Sequence, residues 1–419
     1  MSALVGPPIL EALRATLALE PIGQASGNLT IARGSFERRP LHVALVENRV
    51  ASGSLGALES QRLAALFKIV ARERSSLVLF LDSAGARVSE GLKALGAFRG
   101  LYHAGIEAAL SGAPIAALLG RNCYGGSSML AHLAPQRLFS ESTQMAMSGP
   151  SIVASAAGVN VLDEVFRAMA DASLSAVARA KASGANSVWK EGTDLAPWLR
   201  EALAQRGDAA SALRFRHEAL AARFEKRNAD PPLDTLRRRD FEKIYAGGYE
   251  ARESQGFIAG TGTRDGGKEE FAGIVGKHPL GAERAWRFAE TVWRATDTPP
   301  TRFEVFLDCA AHAARLDDEK IVLTEYIVDM GYALAVLASK GTQVGLTILG
   351  KAGGGVYVAL AAPARRVTSV YGAQIQVLPG AAVAAILGES REETPAFAEY
   401  SAAGVADNEV KLGFVPGTP

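Results

Sequence analysis

Short apolar runs recur along the chain, separated by longer mixed stretches, and they come in matched pairs. VLFL (Val78–Leu81) and VFL (Val305–Leu307) are rich in branched and aromatic side chains. That pattern predicts buried parallel strands. IAALLG (Ile115–Gly120) and VGLTILG (Val344–Gly350) read the same way. The stretches between them are long enough for crossover helices, so the alternation predicts a mostly parallel sheet covered on both faces. Upstream, His42–Val46 predicts another strand. A helix is expected over Ser60–Arg72, with Leu63, Leu66, Phe67 and Val70 at helical spacing.

The order of features repeats. SSLVLFLDSAGARVSEG, from Ser75, leads into GIEAALSGAPIAALLGRNCYGGSSMLAHLAPQRLF; TRFEVFLDCAAHAARLDDE, from Thr301, leads into GYALAVLASKGTQVGLTILGKAGGGVYVALAAPARRV. In each, an apolar run ends in Asp (Asp82, Asp308), and a small-residue loop and a helical stretch follow. A second run ends in Gly and a basic residue (Gly120–Arg121, Gly350–Lys351). A glycine cluster then opens an Ala-rich helix, and Ala-Pro-x-Arg closes the unit (Ala134–Arg137, Ala362–Arg365). Matching order, spacing and residue type argue for a tandem duplication. The expected division is an N-terminal unit over 1–188, a helical bracing segment over 189–250 and a C-terminal unit over 251–419. Trp189–Lys243 is rich in Arg, Glu and Ala and contains Pro231–Pro232. Within it LRRRDFEK reads as a solvated helix face. GGKEEFAGIVGKHPLG reads as a loop into a helix that begins near Gly281.

Composition narrows the function. Of 419 residues, 48% are hydrophobic, enough for a sizeable core. Charged residues make up 21% and the net charge is +1, which argues against nucleic acid as the main partner and leaves room only for a local basic patch. The two cysteines, Cys123 and Cys309, cannot form a four-ligand zinc ribbon. No metal is expected, and both cysteines are expected to be reduced in a cytoplasmic protein, Cys123 as a small buried residue. The first residues lack a basic segment followed by an apolar run. No run approaches the about 20 apolar residues of a membrane span; the longest, Tyr332–Leu349, is broken by Ser339, Lys340 and Thr342.

The candidate chemistry lies in the glycine clusters. Tyr124-Gly125-Gly126-Ser127-Ser128 and Gly353–Gly355 stand between a strand and a helix in their respective units. Glycine lets the main chain approach a ligand closely. The helix start offers unpaired N–H groups and a positive dipole end. The loops after Asp82 and Asp308 can supply a second N–H each. Two converging donors form an oxyanion hole, contributing about 3 kcal/mol per donor to a developing charge. No Walker A or Gly-x-Gly-x-x-Gly pattern favours a nucleotide.

DSAGARVSEG (Asp82–Gly91) resembles the carboxyltransferase branch of the crotonase superfamily, whose members carry a similar Asp-Ser-Gly-Gly-Ala-Arg-x-x-Glu-Gly. GRNCYGGSSMLAHLAPQRLFSESTQMAMSGPSIV resembles that family's second motif. Within the family the first half resembles the β subunit of biotin-independent malonate decarboxylase. The second half, with LGKAGGGVYVALAAPARRV, resembles the γ subunit, so the chain looks like a β–γ fusion over Arg38–Leu387. The resemblance implies an α/β fold of two tandem crotonase-like (ClpP/crotonase, ββα-superhelix) domains. It implies a carboxy-lyase that converts a malonyl thioester to the acetyl thioester and CO2. The substrate would ride on the phosphopantetheine-type arm of an acyl carrier protein. No cofactor would be bound covalently, and the reaction would be biotin-independent, in keeping with the absence of an Ala-Met-Lys-Met-type segment. Partners would be an acyl carrier protein subunit and an acyl carrier protein transferase subunit, in a homo-oligomer, with no nucleic acid and no membrane.

Departures from the family pattern are Ala84 for Gly, Gly353–Gly354 for Ser-Gly, and Cys309–Ala314 for Ser-Gln-Ala-Tyr-Gly. On this resemblance, N–H groups at Gly85 or Ala86 and at Gly125–Gly126 would form one hole. Those at Cys309 or Ala310 and Gly353–Gly354 would form the other, for the leaving carboxylate. His312 and Tyr124 are the candidate proton donors. His132 and Cys123 read as structural. Arg87, Arg315 and Lys351 are candidate substrate-binding cations; salt bridges of Arg87 to Glu90 and of Arg315 to Asp317 are the equal alternative. Three other functions stay open: an acyl-CoA carboxyltransferase-type subunit, a hydratase or isomerase subunit, for which Glu141 is the one obvious carboxylate, and a non-catalytic scaffold.

Overall fold

The strand pairs predicted by the apolar runs fold into two sheets of one plan. The computed structural model describes residues 7–158, 163–204, 207–224, 234–276, 278–388 and 395–412. The first sheet comprises β1 (Glu20–Pro21), β2 (Leu29–Phe36), β3 (Arg39–Val46), β4 (Leu77–Ser83), β5 (Ile115–Tyr124), β6 (Gln136–Ser140), β7 (Gln144–Ala146) and β8 (Asn186–Trp189). Its order is β1-β2-β3-β4-β5-β6-β8, with β7 beside the end of β5. The second comprises β9 (Asp234–Thr235), β10 (Tyr249–Ser254), β11 (Phe257–Arg264), β12 (Gly267–Ile274), β13 (Arg302–Cys309), β14 (Gln343–Gly353), β15 (Arg366–Val370), β16 (Gln374–Gln376) and β17 (Asn408–Val410). Its order is β17-β15-β14-β13-β12-β11-β10-β9, with β16 beside β14. From β3 and from β12 onward the pairs are parallel; the hairpins before them are antiparallel.

Burial on both faces explains the near-continuous apolar runs. Every residue of β4 is buried. Leu77, Leu79 and Leu81 face the main core with Phe67 and Phe98 from two crossover helices, Ala57–Glu73 and Gly91–Leu110. Val78 and Phe80 face a second core with Leu10 and Leu13 from the helix Pro8–Leu17 and Leu199 from the helix Ala196–Ala202.

One expectation fails here, and another holds for one face only. GGKEEFAGI is not a loop but β12, paired with β11 along its length. Its inward Glu269 is ion-paired with Arg264 at 3.2 Å, so a polar residue sits where a strand pattern calls for an apolar one. LRRRDFEK does present a solvated face, with Arg237, Arg239, Glu242 and Lys243 exposed, but its other face packs inward. Phe241 in the helix Arg239–Ile244 is fully buried, its ring 4.6 Å from that of Phe306. That helix covers the outer face of the second sheet.

The halves share one core, which runs from Leu79 through to Trp293. Buried charges cross the junction. Arg137, from the first Ala-Pro-x-Arg, donates to Glu325 at 2.8 Å; Arg223 meets the other carboxylate oxygen at 2.6 Å. Burial works against the charge of Glu325, but His132, Arg137 and Arg223 hold it well below the usual carboxylate range. The helix Ala209–Ala221 is clamped to the second half by His217. Its Nδ1 lies 2.6 Å from Asp329 and its Nε2 2.8 Å from Glu290, and its ring is stacked on Trp286. Burial opposes the imidazolium, yet the two carboxylates outweigh it and raise His217 to about 9. Because folding raises this pKa, the clamp's contribution is complete below the ordinary value near 6.5 and is lost as pH climbs to about 9. Thermal unfolding should therefore show Tm falling across that window. His217→Gln should flatten the dependence and lower stability at pH 6 by about 3 kcal/mol, the scale of a broken buried ion pair.

Candidate active site

In both halves the site begins with a bulge. β4 and β5 run in register to Leu81–Leu119 and resume at Ser83–Cys123; β13 and β14 run to Leu307–Ile348 and resume at Cys309–Ala352. Each partner strand thus carries two extra residues. An aspartate fills the gap, buried in the first half and half-buried in the second: Asp82 accepts the N–H of Asn122 at 3.1 Å, and Asp308 that of Lys351 at 2.9 Å. A Cβ at Gly120 or Gly350 would run into that carboxylate.

The strand then turns over the loop that follows the aspartate. Ala84 N–H donates to Ser52 O, Gly85 N–H to Ser83 Oγ and Arg87 N–H to Leu55 O. Ala86 N–H is left with no partner among the described residues. Gly85 has φ +95°, and a Cβ there would lie 2.9 Å from the nitrogen of Gly126. Gly125 has φ +53°, and Gly126, the first residue of the helix Gly126–Ala131, also keeps an unpaired N–H. The second half repeats this. Leu280 N–H donates to Ala311 O and Ala313 N–H to Leu280 O, leaving His312 N–H unpaired. Gly354 has φ +54°, and Gly355 follows it in the helix Gly354–Ala361 with its N–H also unpaired.

Strand register therefore equates Ala86 with His312, Gly125 with Gly354 and Gly126 with Gly355. The expected second set, Cys309 or Ala310 with Gly353 or Gly354, moves along the chain. Cys309 ends β13 with its thiol buried against Ala311 O, Ala310 follows it, and Gly353 ends β14 in extended backbone. None of these three lines the cavity described next, nor does Gly85.

Both turns open on one cavity of about 290 Å³ between the halves. Ala86, Gly126, His312 and Gly355 all line it, with Tyr124, Gly125 and Gly354. Phe98, Met129, Met147 and Val358 supply much of an apolar wall, and among the described residues no charged side chain lines it. Tyr124 turns its hydroxyl to Gln144 at 2.6 Å, and burial pushes its pKa up, so it presents its ring rather than an acid. His132 is buried on Ser128 O, and Cys123 is buried within β5. The three cations stand apart. Arg87 is paired with Glu59 and Glu90, and Arg315 with Asp318 rather than Asp317. Glu90 and Asp318 also accept the first N–H of the helices Ala57–Glu73 and Ala282–Ala295, so each arginine braces a helix start. Lys351 is exposed on β14.

A serine not anticipated from sequence completes the site. Ser148, fully buried after β7, places its Oγ 2.8 Å from His312 Nε2, and its N–H donates to Glu319 at 2.9 Å. Both side chains line the cavity, one from each half. Ser148 belongs to the Ser-Gly-Pro of the second motif, but only the three-dimensional pairing with the other half reveals it.

Residues 17–169 match the carboxyl transferase domain family. The chain is 29% identical over 145 residues to the methylmalonyl-CoA carboxyltransferase 12S subunit of Propionibacterium freudenreichii subsp. shermanii, covering 34% of this chain and 27% of that protein. It is 28% identical over 140 residues to the acetyl-coenzyme A carboxylase carboxyl transferase subunit beta of Synechococcus sp. (strain JA-3-3Ab), covering 32% of this chain and 43% of that one. Among solved structures, a Pseudomonas malonate decarboxylase hetero-tetramer in complex with malonate aligns with TM-score 0.44 and 19% identity, over 54% of this chain and 92% of that one. The first half thus carries a carboxyl-transferase-type domain, and the matches span less than half of the curated relatives' length. Among the described residues no helix is long and apolar enough to cross a membrane, and no group of three or more His, Cys, Asp or Glu could hold a metal ion.

Burial depresses His312 to about 4, so its ring is neutral near pH 7. A histidine NMR titration of the unliganded protein should show His312 unchanged from pH 8 down to pH 5 and His217 still protonated at pH 8. A His312 midpoint near 6.5 would mean that the ring is solvated.

Proposed function

We propose that the chain decarboxylates a malonyl thioester by stabilising the enolate left when CO2 departs. The observation that carries this reading is the pairing of unpaired main-chain donors, Ala86 with Gly126 and His312 with Gly355, around a single apolar cavity. A malonyl thioester has two oxygen centres to hold, the thioester carbonyl and the carboxylate. Donors fixed by the main chain need no reorganisation as charge moves between them. No nucleophile is required, and a low-dielectric wall strengthens each N–H···O contact.

Hydration or isomerisation needs carboxylates in the cavity as acid and base. Among the described residues none lines it, and Glu141 is exposed. Carboxyl transfer to or from an acyl-CoA is the second reading, favoured by the domain match over residues 17–169. It proceeds through the same enolate but must keep protons away from it. A hydroxyl and an imidazole in the cavity wall supply protons, which favours decarboxylation. On this reading the acyl group arrives on the phosphopantetheine-type arm of an acyl carrier protein. The carrier subunit and its transferase subunit are then the partners, and no biotin is needed.

The test is to incubate the purified chain with malonyl-CoA and with malonyl-loaded carrier protein and to follow CO2 and the acetyl thioester. Release of both supports decarboxylation. Inertness towards both, with carboxyl exchange onto free biotin, supports carboxyl transfer. Tight carrier binding without turnover supports a scaffold. Gly126→Val drives its side chain into the Phe98 ring, whose Cζ would lie 2.5 Å from the new Cβ, and should lower turnover by about 100-fold. Gly355→Ala meets only the flexible ends of Met147 and Met129, so it keeps the fold and should still lower turnover. Wild-type rates in both variants would remove these turns from the reaction.

A further inference from the structure

His312 is buried with one partner. Nε2 meets the Ser148 hydroxyl, while Nδ1 is enclosed and has no hydrogen-bond partner. Among the described residues, the cavity it lines has no cation to meet the carboxylate of a malonyl group. The ionisable groups around it are few. Burial pushes up Tyr124 and Cys309, which stay neutral. Glu319, behind Ser148, is pushed up by burial to about 7, and Arg179 donates to its main-chain oxygen. Arg284, near Cys309, donates to main-chain oxygens, and Arg315 is taken by Asp318. A carboxylate brought into such a site either carries a large desolvation cost or draws in a compensating positive charge.

Resting on the decarboxylase reading, we infer that a malonyl thioester brings one proton into the cavity, that His312 holds it, and that the Ser148 hydroxyl passes it to the carbon CO2 leaves. The ring rests neutral because burial penalises its charge. A carboxylate beside it reverses that balance, since an opposite charge within a few ångströms favours the imidazolium. When the C–C bond breaks, its electron pair enters the enolate and CO2 departs neutral. The carbon then takes the Ser148 hydroxyl proton while the Nε2 proton moves to Oγ. The ring returns to neutrality, and the acetyl thioester leaves. One proton is consumed per CO2, and no oxidant, nucleophile or metal enters the balance. The proton leaves by Nε2 because that nitrogen faces Ser148, while Nδ1 is enclosed by protein.

Calorimetry in buffers of different ionisation enthalpy counts the protons. The ligands are a malonyl-CoA analogue with an amide in place of the thioester, which holds its carboxylate, and the matching acetyl amide. At pH 7 the full chain should take up about one proton per malonyl analogue and none per acetyl analogue. His312→Gln should bind with uptake near zero. Ser148→Ala should keep the uptake and lose turnover, separating the residue that stores the proton from the one that delivers it. Equal uptake in wild type and His312→Gln would overturn the inference, as would uptake abolished by Glu319→Gln alone. A malonyl analogue that binds without a proton overturns only this inference. One that does not bind, from a chain that also releases no CO2, overturns the decarboxylase reading and this with it.

Discussion

An aspartate carboxylate in a strand bulge sets the geometry on which the site depends. Asp82 and Asp308 each accept one main-chain N–H from the neighbouring strand, at a point where that strand carries two extra residues. Burial pushes the Asp82 carboxyl up, so its charge is costly there and the N–H contact offsets part of that cost. The bulge bends the strand end over the adjacent loop. Only then can Gly126 nitrogen come close to Gly85, and only then do Ala86 and Gly126 offer their N–H groups to the same space. Without the aspartate the strands could pair straight through, and the donors would be spent on main-chain carbonyls as ordinary ladder bonds.

The second requirement is that the halves face each other. One turn provides two donors; the malonyl group of the proposed substrate has two oxygen centres. The shared core and the Arg137–Glu325 contact fix the halves as one body, so the cavity walls do not depend on a loose linker. That contact also explains why the two Ala-Pro-x-Arg copies differ in surroundings. Arg137 is fully buried at the junction, whereas Arg365 is exposed. Removing one partner of the buried pair leaves an uncompensated charge, so the pair acts as a registration device as much as a source of stability.

Much of this was legible because it follows from local chemistry. Apolar runs marked β4, β5, β13 and β14, the glycine clusters marked the turns, and the repeat marked the two sheets. What escaped depends on contacts across the fold. Glu269 sits in a strand only because Arg264 reaches it, and Phe241 is buried only because the second sheet needs a cover. The repeat was also aligned one residue out at the second cluster: glycine at all of positions 353 to 355 gives no side chain to fix register, and the φ of Gly354 decides it. Arg87 and Arg315 have the right charge for a substrate, but helix-capping carboxylates beside them take it up.

The duplicated frames have diverged where chemistry needs asymmetry. By strand register, Ala86 in the first half corresponds to His312, and Ser148 corresponds to Leu378 in the second. All four line the cavity. One side therefore offers main-chain N–H groups and hydrocarbon, through Ala86 and Leu378; the other offers the same N–H geometry together with a hydroxyl and an imidazole. On the proposed reading the thioester oxygen, which needs donors and no proton, suits the first side. The carboxylate suits the second, where a counter-charge can form and then be discharged onto carbon. Two identical holes could not make that distinction, because a substrate bound in either direction would meet the same groups. On that same proposal, divergence at these two pairs fixes the direction in which a malonyl group lies, and with it the carbon face that receives the proton.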